Sequence, residues 1–273
     1  LFPPSLPLIV YGIVSATPID QLFLAGILPG LLLVGALALY SWYQGRRHTI
    51  TIHNTSFTDV AQVVRQSIWE LLLPVVIIGG IFSGIIALSE AAALSALYVL
   101  LVEMVIYREV NIRQLPLIIR DSMVLVGGIL IILAAAMAYT NFLIDAEIPT
   151  KLLGFMKDHI SSPLVFLIAL NLFLLAVGCM VDMFSALIVV VPLILPVAHA
   201  YGVHPVHLGI IFLTNLEIGY STPPVGINLF IASMRFEKPV LQLYRASLPF
   251  LLILLFSLLI ITYVPALSLF LIK

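Results

Sequence analysis

Ile218-Gly219-Tyr220-Ser221-Thr222-Pro223-Pro224-Val225-Gly226-Ile227-Asn228 lies in the middle of an apolar stretch, 206–233. Two prolines and two glycines in so short a run cannot continue a helix. Proline removes a donor and clashes with the preceding turn, and glycine disfavours the helical state. In hydrocarbon an unpaired backbone group costs several kcal/mol, so such a break survives only where it is buried in protein or lines a cavity. Freed carbonyls there can bind a cation, and the N-terminus of the following half-helix can face an anion.

Working outward, a related string opens the chain: Phe2-Pro3-Pro4-Ser5-Leu6-Pro7. Each Pro-Pro is followed by a half-helix, a connector and a full span. Two unwound helices meeting near the midplane would make a transport site, with Pro3, Pro4, Ser5, Pro224 and Asn228 as candidates to face the substrate. The alternative is a pair of proline kinks with no ligand.

Composition sets the solvent. Of 273 residues, 62% are hydrophobic and only 9% charged, where a soluble domain carries roughly a quarter charged. Mean hydropathy is +1.22. That much apolar surface calls for lipid. The single cysteine, Cys179, rules out an internal disulfide and reads as a small buried hydrophobe. The histidines lack metal-site spacing beside a carboxylate, and His159, His199, His204 and His207 read as outer-loop residues. No GxxxxGK[ST] and no Gly-x-Ser-x-Gly is present, so neither an ATP motor nor a hydrolase elbow is indicated. The chain does not read as an enzyme, and nothing in it calls for nucleic acid or a cofactor. Leu1-Phe2-Pro3-Pro4 resembles neither a start nor a signal peptide, so the sequence is expected to be a fragment.

The apolar stretches are 4–16, 21–43, 71–88, 91–107, 122–144, 163–181, 184–200, 206–233 and 248–271. Nine of the twelve basic residues fall in 44–70, 108–121 and 234–247, which places those loops in the cytoplasm. Parity then makes 71–88 and 91–107 a hairpin from the cytoplasm, turning at Ala87–Glu90. It makes 163–181 and 184–200 a re-entrant pair from outside, and sends the first half-helix outward and the second inward. That is the pattern of an inverted repeat. Segment 51–70 has apolar residues at helical spacing. It reads as an amphipathic helix at the cytoplasmic interface, or equally as a plain connecting helix.

Three acids lie within apolar surroundings. Asp182, in Gly178-Cys179-Met180-Val181-Asp182-Met183-Phe184-Ser185, sits at the turn of the re-entrant pair. Asp182 and Glu217 are each readable as functional intramembrane acids or as groups that fix a turn. Glu90 reads as a turn-fixing group at a helix start.

Taken together, Asn215 to Phe230, Pro3-Pro4-Ser5-Leu6-Pro7, Leu24-Ala25-Gly26-Ile27-Leu28-Pro29-Gly30, Ser89-Glu90-Ala91-Ala92-Ala93, His207-Leu208-Gly209-Ile210-Ile211 and Pro265-Ala266-Leu267-Ser268-Leu269 closely resemble the large membrane subunit of TRAP (tripartite ATP-independent periplasmic) transporters. The resemblance covers essentially the whole chain. It implies an all-α integral membrane protein of the ion-transporter superfamily, an elevator fold with inverted repeats, re-entrant hairpins and broken helices. It further implies a multi-pass permease of the bacterial inner membrane that imports a small carboxylate, such as a C4-dicarboxylate or sialic acid, by sodium symport. Its implied partners are a small TRAP membrane subunit and a periplasmic substrate-binding protein. The implied sodium site lies between the second re-entrant hairpin and the second broken helix: Gly178, Asp182, Ser185, Gly219, Thr222, Pro223 and Gly226. Residues 1–43 then correspond to the end of the first repeat and 44–70 to a connector. Residues 71–145 would be scaffold helices and 146–273 the transport part of the second repeat. The hairpin departs from the family pattern, with Met183 and Phe184 where a Pro and a Thr are expected after the acid. Two rival readings are a stand-alone sodium/dicarboxylate or citrate carrier and a channel-like or structural membrane subunit.

Overall fold

The computed structural model describes residues 1–2, 5–46, 57–83, 85–147, 151, 154–155, 158–160, 162–181, 183–223 and 226–272. The described regular structure is helical: α1 (Leu6–Ser15), α2 (Ile19–Gly45), α3 (Phe57–Gln66), α4 (Ile68–Phe82), α5 (Leu88–Leu101) running into a π-helical turn (Val102–Ile106), α6 (Leu115–Asp145), α7 (Pro163–Met180), α8 (Met183–Ala200), α9 (Pro205–Gly219), α10 (Ile227–Phe236), α11 (Val240–Tyr263) and α12 (Ala266–Leu269). Among the described residues α2, α7, α8 and α11 are each long and apolar enough to cross a membrane. This is a multi-pass membrane protein. The chain forms two compact units, one of Leu1–Arg47 and Ile131–Lys273, the other of His48–Leu130.

The first unit is built around α9. From Val206 to Gly219 every residue of this helix is buried except Glu217. Its sequence is apolar apart from His207, Thr214, Asn215 and Glu217, without a continuous polar face to give to solvent. α7 packs along it, and α1, α2, α8, α11 and α12 also touch it. With 15 residues it is about 22 Å long, too short for a bilayer core of about 30 Å. It therefore cannot cross that core alone. Its start is set by Pro205 at the first helical position and by His204, whose ring accepts the amide of Val206. α7 starts the same way, with Pro163 and the Ser162 hydroxyl accepting from Leu164.

A buried polar chain ties three of these helices together. Asn215 Nδ2 donates to Asn171 Oδ1 at 2.7 Å and to the Ile211 carbonyl at 2.8 Å. Asn171 Nδ2 donates to Thr262 Oγ1 at 3.1 Å. The His207 ring nitrogen Nε2 lies 3.3 Å from the Thr262 carbonyl. All four residues are buried. His207 thus belongs to the core of α9, not to an outer loop as expected. The sequence left it at the edge of an apolar window, and only its partner 55 residues on shows that it turns inward.

In the second unit the expected amphipathic segment 51–70 is two elements, with 51–56 outside the described residues. α3 ends at Gln66, and α4 leaves at an angle of 64°. Two tyrosines hold the bend: Tyr98 donates to the Trp69 carbonyl at 2.8 Å and Tyr107 to the Gln66 carbonyl at 2.9 Å. α4 packs on α5. α4 ends at Phe82 and α5 starts at Leu88, so the join comes earlier than expected and Glu90 is already in the first turn of α5. Its carboxylate accepts the Ala87 amide at 3.0 Å, the turn-fixing role read from the sequence. α6 and α11 both begin before the apolar windows 122–144 and 248–271, and α11 carries Arg245 inside the helix. Long basic side chains reach outward from such positions, so the helical backbone runs past the apolar limit.

Candidate functional site

The break predicted at 218–228 is present. α9 stops at Gly219, and α10 starts at Ile227. Within the break Ser221 N donates to the Ile218 carbonyl, Thr222 N to Gly219 and Thr222 Oγ1 to Ile218 at 2.7 Å. The chain re-enters a helix through Gly226, whose φ of 57° is in the left-handed region open to glycine. A methyl group built there would lie 3.0 Å from the Thr222 carbonyl oxygen and 3.5 Å from that of Tyr220. Two backbone oxygens therefore crowd the turn, and Asn228 N donates to the second of them at 3.2 Å.

Beside the break α7 also ends. Gly178, in its last turn, meets Gly219 backbone to backbone: a methyl group on Gly219 would lie 2.6 Å from Gly178 C and 2.7 Å from its Cα. On Gly178 it would lie 3.0 Å from Leu216 Cα. Neither glycine can carry a side chain without moving a helix. The contact brings two helix C-termini side by side. Each helix dipole places roughly half a negative charge at its C-terminus, so the place where the two meet favours a cation. The groups available along the adjoining break are backbone oxygens and the Thr222 hydroxyl. Such hard, neutral ligands suit an alkali cation, whereas thiolate or imidazole cages suit transition metals.

Of the other expected sodium ligands, Ser185 is half-buried in the first turn of α8, and Pro223 is exposed in the break. Asp182 lies outside the described residues. Met183, the departure from the family pattern, is buried at the start of α8. For the expected substrate residues, Ser5 caps α1 with an extended backbone, and Asn228 is exposed in the first turn of α10. Pro3, Pro4 and Pro224 lie outside the described residues. α1 packs on α8 and on α9, the elements that carry Ser185 and Gly219. Glu217 is the exposed exception on α9, and among the described residues it makes no hydrogen bond, so the turn-fixing reading finds no support there. Cys179 is half-buried, not fully buried as expected, with Sγ 3.1 Å from the Ala176 carbonyl.

The sequence reading missed how α1 is held. Tyr11 is fully buried and donates to the Pro205 carbonyl at 2.7 Å, across 194 residues. Its ring lies where a methyl group on Gly209 would be, 2.6 Å from Cε1. A glycine inside an otherwise bulky helix was the available signal.

The local geometry also repeats. α1 and α10 are each ten residues long. Ala16 and Glu237 follow them, both with φ of 52°. After one further residue Pro18 and Pro239 cap α2 and α11 in nearly the same conformation, φ −58° and ψ 126° against φ −56° and ψ 136°. The same half-helix, left-handed turn and proline-led long helix thus occur twice.

The family model described as "Tripartite ATP-independent periplasmic transporter, DctM component" matches residues 1–267. The chain belongs to the DctM family. Its relatives include the C4-dicarboxylate TRAP transporter large permease protein DctM of Pseudomonas aeruginosa, 36% identical over 270 residues, 98% of this chain and 63% of the relative. The sialic acid large permease SiaM of Vibrio cholerae is 35% identical over 272 residues, 99% of this chain and 64% of the relative. The ectoine/5-hydroxyectoine large permease UehC of Ruegeria pomeroyi is 34% identical over 275 residues, again 99% and 64%. The chain thus spans somewhat less than two thirds of the length of these relatives. Within this DctM-family chain, the Gly178–Gly219 contact and the 220–226 break lie inside the matched region.

Proposed function

We propose that the protein containing this chain is the large permease subunit of a sodium-coupled secondary transporter of the bacterial inner membrane. It imports a small organic acid delivered by a periplasmic binding protein and works with a small membrane subunit. The observation that carries the reading is the Gly178–Gly219 contact, where two helix C-termini converge beside an unwound segment. A cation held there, between α7 and the α9–α10 break, would fix the geometry of both. The half-helix α10 starts from the same break, and the positive end of its dipole favours an anion there. Binding of sodium and substrate would then be linked through one short backbone segment. By this reading the part of the chain that bears the site moves against the rest as an elevator; the repeated half-helix–connector–long-helix geometry supports two repeats, and the placing of the basic residues orients them oppositely.

The substrate class rests on the relatives, whose names specify a C4-dicarboxylate, sialic acid and ectoine. A carboxylate is common to these compounds and matches a helix N-terminus. Family membership favours the tripartite arrangement over a stand-alone carrier.

The test is uptake by the full-length parent protein with its small subunit in proteoliposomes, with and without a sodium gradient and the binding protein. Accumulation that needs both supports the proposal, and Thr222→Ala and Asp182→Ala then weaken its sodium dependence. Accumulation with sodium alone supports a stand-alone carrier. Uptake that responds to neither leaves the break as a kink.

A further inference from the structure

The buried amide pair lies on the same two helices as the glycine contact. Asn171 precedes Gly178 by seven residues on α7, and Asn215 precedes Gly219 by four on α9. These are about 10 Å and 6 Å of helix. In sequence the pair is set among Leu170, Leu174, Ile211 and Leu216, all buried. Both amide hydrogens of Asn215 are taken, one by Asn171 and one by the Ile211 carbonyl of its own helix. Its Oδ1 is buried and has no hydrogen-bond partner among the described residues.

Stability alone does not account for these groups. A buried acceptor without a donor is unfavourable, and apolar residues of similar shape in place of both partners can be neutral or stabilising. What an amide in an apolar interface supplies is direction. Leucines pack comparably in several registers, whereas an amide bond is made in one, as a buried asparagine does between the strands of a coiled coil. The glycines permit α7 and α9 to touch but supply no bond that holds them. A slip of α7 by one turn, about 5.4 Å, would set Leu174 in place of Gly178. The backbone at Gly219 leaves no space there even for a methyl group. The Asn171 amide also donates to Thr262 on α11, and α11 packs on both α9 and α10. The same chain of bonds thus ties α7 to a helix that touches both sides of the break.

We propose that Asn171 and Asn215 are positioning residues for the cation site: their amide bond sets the register of α7 on α9 that brings Gly178 against Gly219. This rests on the reading of that contact as the sodium site. The two amides act through the helix ends and not on the ion.

The full-length parent protein with its small subunit is tested in proteoliposomes as the Asn171→Leu, Asn215→Leu double variant. Uptake at saturating sodium is expected to persist. The sodium concentration for half-maximal uptake should rise at least about fivefold, the lower end of coupling between linked sites. Thr214→Val is the control. Its hydroxyl is buried next to Asn215 in sequence but donates within its own helix, to the Ile210 carbonyl at 2.7 Å, so its loss should leave the sodium response unchanged. Spin labels on Cys179, near the end of α7, and on His204→Cys, at the exposed start of α9, should show a shifted or broadened distance in the double variant. If that variant does not fold, Thr262→Val replaces it, and the loss of Oγ1 should raise the half-maximal sodium concentration in the same direction. An unchanged sodium response in the folded variant, or an equal shift in Thr214→Val, overturns the proposal. An unsubstituted protein that shows no sodium dependence overturns the sodium reading and the assigned role with it. The label distance stands apart from that outcome: if it is unchanged, the amides do not set the register whatever the coupling ion.

Discussion

Gly219 and Gly178 touch with no space for a methyl group, and the obstructing atoms are backbone. Backbone at the end of two packed helices cannot rotate aside as a side chain can, so relief requires α7 and α9 to separate. Gly219→Ala is therefore expected to cost about 1–3 kcal/mol and to abolish sodium-dependent uptake. Gly35→Ala is the control. Gly35 lies inside α2 with nothing within 4 Å of an added methyl group, and a helix-interior glycine is itself unfavourable. That variant should be neutral or stabilised by about 0.5–1 kcal/mol. Thermal unfolding in detergent, paired with uptake, separates the two. Equal behaviour of the alanine variants would show that the glycine contact has no bearing on the site. Gly219 could be read from the sequence as part of a break; its contact with Gly178 could not. Pairing of residues 41 positions apart is a product of helix packing, and only the family resemblance had placed both in one site.

At the scale of elements, the breaks were legible and the joins were not. Pro223-Pro224 with Gly219 and Gly226 ends a helix by local chemistry alone, and α9 stops where that chemistry says. The bend between α3 and α4 has no such residue. It depends on Tyr98 and Tyr107, whose hydroxyls hold carbonyls on either side of Ser67 from later in the chain. Tyr98→Phe with Tyr107→Phe should release that bend. Nitroxide labels on α3 and α4 are expected to report a broader distance distribution, and an unchanged one would mean that the angle is set elsewhere. The Asn171–Asn215–Thr262 chain was equally hidden, since each member alone is a polar residue in an apolar run. Within a membrane such an interhelical bond averages about 0.6 kcal/mol and reaches about 1.7. A double-mutant cycle of Asn171→Leu and Asn215→Leu should give a coupling in that range by thermal unfolding. A coupling near zero would reduce the pair to separate, locally satisfied groups.

For the whole molecule, the decisive question is whether the repeated geometry is also inverted. The half-helices α1 and α10 end alike, at Ala16 and Glu237, and Pro18 and Pro239 then start α2 and α11 alike. A left-handed turn at a residue with a side chain is unfavourable by roughly 1–2 kcal/mol, so its use twice at matching places points to a retained design. The charges differ sharply between the two connectors. Arg235, Lys238 and Arg245 surround the second, whereas no lysine or arginine lies near the first and Arg46 stands at the far end of α2. If basic residues mark the cytoplasmic side, the first connector faces outward and the second inward. Asp20 and Gln242 are exposed and lie in the first turns of α2 and α11. In a Cys179→Ser background, a membrane-impermeant maleimide added outside should label Asp20→Cys and spare Gln242→Cys until the membrane is opened. Labelling of both from one side would make the repeats parallel, and the two half-helices would then enter the membrane from the same face. Opposite labelling places the two Pro-Pro breaks on half-helices that approach the membrane interior from opposite sides, the arrangement in which one site can be offered to each side in turn.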